Sequence, residues 1–266
     1  MIITGSERLA AVVPRVNVLG VGISAINMEV ALTTIEGWIA RRDSRYVCVT
    51  PVHSVMECRK DAALRRIFNV SGLTTPDGMP LVWLCHLKGR RDASRVYGPD
   101  LMLAMCERSI ARGHRHFFYG GADGVAEKMV VNLQQRFPGL LVAGTHSPPF
   151  RSLTPEEDTE IVRMINEADP DIVWVGLGAP KQEFWMATHV GQLTAPVLIG
   201  VGAAFDFHAG CKKQAPPWMQ RSGLEWLFRL LTEPRRLWRR YLINNTLFVT
   251  LVLLQAIGLR KYFLEA

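Results

Sequence analysis

Asp171-Ile172-Val173-Trp174-Val175-Gly176-Leu177-Gly178-Ala179-Pro180-Lys181-Gln182-Glu183 is the stretch on which the fold turns. Its first half is apolar without alternation, the pattern of a strand covered on both faces of a parallel sheet. The run then breaks at a Gly-x-Gly turn and resumes with Lys, amide and carboxylate side chains at what reads as a strand-to-helix junction. In open parallel sheets ligands sit beyond the carboxyl ends of the strands, so this junction is where phosphate and sugar contacts are expected.

Outward from it, similar β-rich runs occur at 17–21, 46–50, 116–120, 140–143 and 197–201. Helical patterns lie between them. Met28, Ala31, Leu32, Ile35, Trp38 and Ile39 repeat at three and four residues and mark one apolar face. Thr154-Pro155-Glu156-Glu157 has the residues of a capping box with Pro in the first turn. Units alternating in this way imply an α/β fold, a Rossmann-like sandwich with a mainly parallel sheet. After about Pro216 the composition changes to two helical stretches loaded with Trp and Arg. Residues 1–216 are therefore expected to form the α/β domain and residues 217–266 a C-terminal helical appendage.

The chain has 266 residues, 48% hydrophobic and 21% charged, with a formal net charge of +7. These values fit a globular protein and exclude a disordered one. The basic balance suits nucleic acid, an anionic membrane or a phosphorylated substrate. Five scattered cysteines without a C-x-x-C pair argue for reduced thiols in a cytoplasmic protein rather than a disulfide framework or zinc site. The first residues do not have the pattern of a signal peptide. The longest apolar stretch, 246–258, is shorter than the roughly 20 residues a bilayer span needs.

Several further motifs fall at expected strand ends. Thr50-Pro51-Val52-His53 offers a hydroxyl and an imidazole, with Thr50 as a helix cap the structural reading. In Thr75-Pro76-Asp77-Gly78, Asp77 is either a turn residue or a carboxylate held rigidly in a loop. Arg95-Val96-Tyr97-Gly98-Pro99-Asp100 leads into a helix. Asp100 reads there as an N-terminal charge, while the Arg95 fork suits phosphate or carboxylate. Gly120 and Gly121 open a helix after a strand, where backbone N–H groups can approach a nucleotide. Gly178, Lys181, Gln182 and Glu183 form the polar junction already quoted. Asp206, after the last strand, suits a ribose or base contact or a turn.

Two motifs point elsewhere. Gly20-Val21-Gly22-Ile23-Ser24-Ala25 fits a loose dinucleotide fingerprint and supports an alternative reading as an NAD-dependent oxidoreductase. Asp169-Pro170-Asp171 resembles a metal-binding D-x-D, but it precedes a strand and so lies at the wrong end of the sheet. No other cluster has metal-ligand spacing. The expectation is therefore a metal-independent reaction without a cofactor, in which Arg and Lys offset developing charge.

Taken in order from about residue 17 to 242, TPDGMP, RVYGPDL, FYGG, GLGAPKQE, GVGAAFDFHAG, AP-x-W and GLEWLFRL-x-x-EPRRLWRRYL resemble the WecG/TagA/CpsF family, glycosyltransferase family 26. The resemblance implies an inverting, metal-independent transfer from a UDP-sugar to a polyprenyl-diphosphate-linked saccharide in bacterial surface polysaccharide assembly. It makes Asp77 the proposed base, carries Thr50 and Arg95 into the catalytic group, and makes Gln182 a donor-sugar contact and Asp206 a nucleotide contact. Many relatives carry Asn two residues after that threonine, whereas this chain has Val52 followed by His53. His53 then takes a polar substrate contact, and the donor is open among N-acetylmannosamine, glucose, galactose, glucuronate and other UDP sugars.

From Arg221 onward there are eight Arg and Lys against three Glu, interleaved with Trp and Phe. Basic-aromatic segments also bind single-stranded nucleic acid. The Leu, Val and Phe of 247–254 argue instead for an interfacial helix or an oligomer contact. The expected place is the cytoplasmic face of the inner or plasma membrane, held peripherally. Arg229, Arg236, Arg239 and Arg240 are expected near the acceptor diphosphate and anionic lipid. A non-catalytic membrane-surface adaptor is the other alternative, and a helical hairpin packed on the core is the structural reading of the tail.

Overall fold

The computed structural model describes residues 13–265, excluding the side chains of residues 236, 237 and 239–242. The chain opens with a hairpin of β1 (Arg15–Val18) and β2 (Val21–Ser24), paired antiparallel. Leu19 and Gly20 make its two-residue turn with φ of 54° and 90°, the left-handed pair that matches strand twist. The expected strand at 17–21 is therefore two strands and a turn. The same geometry corrects the dinucleotide reading: Gly22 lies inside β2, and the next helix, α1 (Met28–Arg41), starts four residues after β2 ends. A phosphate loop needs glycines between a strand and a helix N-terminus, and this segment lacks that arrangement.

β3 (Arg45–Thr50), α2 (Val52–Cys58), α3 (Ala62–Val70), β4 (Leu73–Pro76) and α4 (Met79–Leu87) follow. Next come α5 (Gly98–Arg112), β5 (Arg115–Gly120), α6 (Val125–Arg136), β6 (Leu141–His146) and α7 (Pro155–Glu167). β7 (Ile172–Gly176), α8 (Lys181–His189), β8 (Val197–Gly200) and α9 (Ala204–His208) complete the alternation. The tail is α10 (Pro217–Arg221), α11 (Glu225–Thr232) and α12 (Pro234–Ala256), three helices where two stretches are expected.

The helix starts follow local chemistry. Asn27 caps α1 by accepting from Val30 N at 3.0 Å. Thr154 and Glu157 form the reciprocal capping box at α7, at 3.2 and 2.9 Å. Each satisfies backbone N–H groups that a helix start leaves without intrahelical acceptors.

The main sheet has six strands in the order β4-β3-β8-β7-β5-β6, all parallel. Alternation along its central strands splits the core in two. Val173, Val175 and Leu198 face a cluster with α2, α3, α7 and α8, while Trp174, Val197 and Ile199 face one with α1, α5 and α6. Both sheet faces are covered, which accounts for the uninterrupted apolar run of β7. The fold is α/β, a Rossmann-like sandwich. β4 went unread as a strand because it is four residues ending in Pro. Proline is tolerated there because β4 is an edge strand.

The tail is tied back to this body. Phe248 and Leu251 are buried in the first cluster, with Leu247 and Val252 packed beside them. The Gln255 side chain accepts from Leu19 N and donates to Asn17 O, both at 3.1 Å. One face of the 247–254 segment thus packs on the protein, while Val249 and Leu253 on the other side are exposed.

Candidate active site

The chain leaves β5 toward β6 on one side and leaves β7 toward β8 on the other. Where neighbouring parallel strands send their connections in opposite directions, a crevice opens at their carboxyl ends. A cleft of about 760 Å³ lies there, lined by Gly121, Gly178, Lys181, Gly202, Asp206 and Lys212 among others. Its size falls within the range of small-ligand sites. Gly120 (φ 127°) makes the crevice floor possible, because a Cβ there would sit 2.5 Å from the Gly176 carbonyl carbon. Gly121 N donates to Gly176 O at 3.1 Å, joining the two strand ends. Tyr119 and Trp185 also line the cleft and stack with ring centroids 4.4 Å apart.

A second group of side chains gathers beyond β3 and β4. Asp77 follows β4 directly, and its N–H donates to Thr50 O at 3.0 Å. Arg95 Nη2 donates to Asp77 Oδ1 at 3.1 Å and to Glu225 Oε2 at 2.5 Å, while Nη1 reaches Gln220 Oε1 at 3.3 Å. The guanidinium also lies 4.0 Å from the Tyr97 ring centroid. Glu225 pairs in turn with Arg229 at 3.1 Å, and Arg229 lies 5.9 Å over the Phe207 ring, one residue from Asp206 of the cleft. The Asp77, Arg95 and Glu225 side chains are each no more than 17% exposed, so their mutual interactions are little screened.

Burial raises the Asp77 carboxyl above its ordinary range and the Glu225 charge adds to this, while Arg95 and Arg229 oppose it. A carboxylate with a raised pKa is a stronger base, and here a planar cation fixes its direction. The Arg95 guanidinium is held charged by Asp77 and Glu225 against the effect of its own burial.

The structure thus brings Asp77, Arg95 and Arg229 together on one side and Gly121, Gly178, Lys181 and Asp206 together in the cleft. Thr50 is fully buried, and its hydroxyl donates to Cys48 O at 2.9 Å rather than facing open space. Gln182 is buried beside Gly200 and the cleft-lining Gly202. Glu183 does not line the cleft; it is fully buried, and its charge is felt by the Cys48 and Cys58 thiols. His53 lies on α2 with Nδ1 3.9 Å from Glu57. Gly98 is buried at the start of α5 against Val49 and Val201. Gly120 packs on Gly176, and Asp206 pairs with Lys212 at 2.6 Å. The side chains of Arg236, Arg239 and Arg240 lie outside the described residues.

Gln220 and Glu225 escaped the sequence reading, although Glu225 stands within GLEWLFRL; nothing local to that motif says that it returns to Arg95. Trp185 escaped it too, and its place at i+3 from Gln182 on α8 was the available signal. Asp169 and Asp171 sit at the amino end of β7, paired with Arg42 and Arg115, as expected for a turn. Among the described residues no three His, Cys, Asp or Glu side chains gather as a metal-ligand set.

The sequence matches the Glycosyl transferase WecG/TagA/CpsF family over residues 16–262. The chain belongs to this family. The WecG/TagA/CpsF match thus spans both groups of side chains and the helices of the tail. Among curated proteins it is similar to an N-acetylglucosaminyldiphosphoundecaprenol N-acetyl-beta-D-mannosaminyltransferase of Bacillus spizizenii, 32% identical over 74% of each chain. It is also similar to the protein of the same name from Staphylococcus aureus, 28% identical over 85% of this chain and 87% of the relative. This WecG/TagA/CpsF protein is a glycosyltransferase, and among its described residues no helix is long and apolar enough to cross a membrane.

Proposed function

We propose that the protein moves a sugar from a UDP donor to a saccharide carried on a polyprenyl diphosphate, with inversion and without a metal ion. The observation that carries this reading is the Asp77 carboxylate held by Arg95 at the carboxyl end of β4. The donor diphosphate would lie in the cleft against Lys181, Lys212 and the N–H groups of Ala122 and Gly178. An acceptor hydroxyl attacks the anomeric carbon as its proton passes to Asp77. The bond from that carbon to the phosphate oxygen breaks, and UDP leaves with the electron pair. Lysine and arginine charges near the leaving diphosphate offset its growing charge, a preorganised stabilisation worth most where water is excluded.

The relatives' names specify N-acetylmannosamine as the sugar they transfer and N-acetylglucosaminyl diphosphoundecaprenol as what they act on. For this chain we carry over the lipid-diphosphate class of acceptor and leave the donor as a UDP-linked hexose or N-acetylhexosamine. The tail, with Trp218 and Leu231 exposed beside its arginines, rests in this reading on the anionic cytoplasmic face of the membrane.

The test is UDP release from a panel of UDP sugars with a synthetic lipid-diphosphate saccharide, run with and without EDTA. Asp77→Asn is expected to lower the transfer rate by roughly 10²–10⁴-fold with UDP binding retained. Full turnover by that variant removes Asp77 as the base, and loss of wild-type turnover in EDTA removes the metal-free mechanism.

A further inference from the structure

Helix α8, which sends Lys181 to the cleft, buries a carboxylate for which the transfer reaction as described has no use. Glu183 is fully buried on α8, and its Oε1 accepts from Gln182 Nε2 at 3.0 Å. Among the described residues its Oε2 meets no hydrogen-bond partner. Among the described residues no Arg or Lys pairs with it; the titratable groups facing it are the Cys48 thiol of β3 and the Cys58 thiol of α2. β7, β8 and α3, also packed on α8, bring no charged group to it.

Gln182 shows the complementary pattern. With its NH₂ end committed to Glu183, its Oε1 is buried without a partner among the described residues. That oxygen lies beside the cleft-lining Gly202: a Cβ there would come 3.4 Å from it, and 3.9 Å from the Cα of Gly178, also in the lining. A buried carbonyl oxygen left unpaired is costly and marks a place where a ligand donor is missing.

We infer that Glu183 is a positioning residue that turns the Gln182 amide so its carbonyl oxygen faces the donor sugar, where a sugar hydroxyl or N–H completes the pair. The inference rests on reading the cleft as the donor site. An ionised carboxylate only accepts, so it admits only the NH₂ end of the amide. A protonated Glu183 carries a donor of its own, and either end of the amide then satisfies it. Burial pushes this carboxyl up from 4.5 to about 7, while burial keeps both facing thiols neutral. The amide is therefore locked above that pH and released below it.

Two measurements test this, one without any ligand. In isotope-labelled free protein, the Gln182 side-chain amide resonances are expected to titrate with a midpoint near 7 and to stay flat in Glu183→Gln. A flat wild-type signal overturns the proposal. In the second, calorimetry compares UDP with UDP-N-acetylmannosamine, UDP-N-acetylglucosamine and UDP-glucose. Above pH 7, Glu183→Met is expected to lose roughly tenfold of the preference for the best UDP-sugar over UDP, with UDP affinity unchanged, and Glu183→Gln, which admits either end of the amide, to lose part of it. Gln182→Ala is the reference. If it loses the preference and Glu183→Met keeps it, the role of Glu183 falls alone. If Gln182→Ala keeps it, the donor-site reading falls. A Glu183→Met protein that does not fold leaves the amide titration and the Glu183→Gln comparison to decide.

Discussion

Arg95 is one cation shared by two carboxylates, and the signs of its interactions can be read out kinetically. Asp77 is raised first by burial and then by Glu225, and lowered by Arg95 and Arg229. Removing the Glu225 charge with Glu225→Gln therefore lowers the Asp77 pKa, so the acidic limb of the kcat/KM profile is expected to move to lower pH. Arg95→Gln removes the opposing charge and is expected to move that limb the other way. Limbs that stay in place in both variants exclude Asp77 as the group that titrates. Asp77 itself was only half legible in the sequence. Its Pro-Asp-Gly setting suits a turn, and the structure has Gly78, at φ 145°, as the residue that precedes α4. What local chemistry omits is the partner, since Glu225 lies 130 positions from Arg95.

At the scale of elements, the strands covered on both faces were readable, and so was the half-exposed edge strand β6. β3, β5, β7 and β8 announce themselves by unbroken apolar runs because helices bury both of their sides. The edge strand β4 and the hairpin were harder. Leu73-Thr74-Thr75-Pro76 is too short to show a period, and the β1–β2 turn uses Leu19 at positive φ, where sequence rules look for Asn or Gly. The register of α8 was also invisible, since Lys181-Gln182-Glu183 reads as one polar cluster but the helix sends Lys181 to the cleft and Glu183 to the core. α12 carries a prediction of its own. Leu251 is 3% exposed in the main core cluster, so Leu251→Ala is expected to destabilise the protein by about 2–5 kcal/mol in urea unfolding. A change near zero shows that this half of α12 does not belong to the core in solution.

Across the whole molecule, charge is unevenly placed. Eight of the 31 Lys and Arg lie from Arg221 onward with only three acidic residues to match. Each Lys or Arg near an anionic surface contributes about 1 kcal/mol, an attraction that fades within a Debye length. The protein is therefore expected to sediment with phosphatidylglycerol vesicles at low salt, to be released as salt rises, and to ignore phosphatidylcholine. Trp218→Ala with Leu231→Ala, at exposed positions of α10 and α11, is expected to weaken the association. Equal sedimentation with both lipids argues against an electrostatic surface contact.

The bond pair from Gln255 to the Leu19 turn gives the tail two allegiances. Its front half, α10 and α11, joins the proposed active site through Gln220 and Glu225, while its rear half belongs to the foundations. Cutting the chain before Pro217 would therefore strip a stabilising buttress together with the surface proposed to meet the membrane. A lifeless truncation would say nothing about lipids; only point changes on the outer face can separate the two.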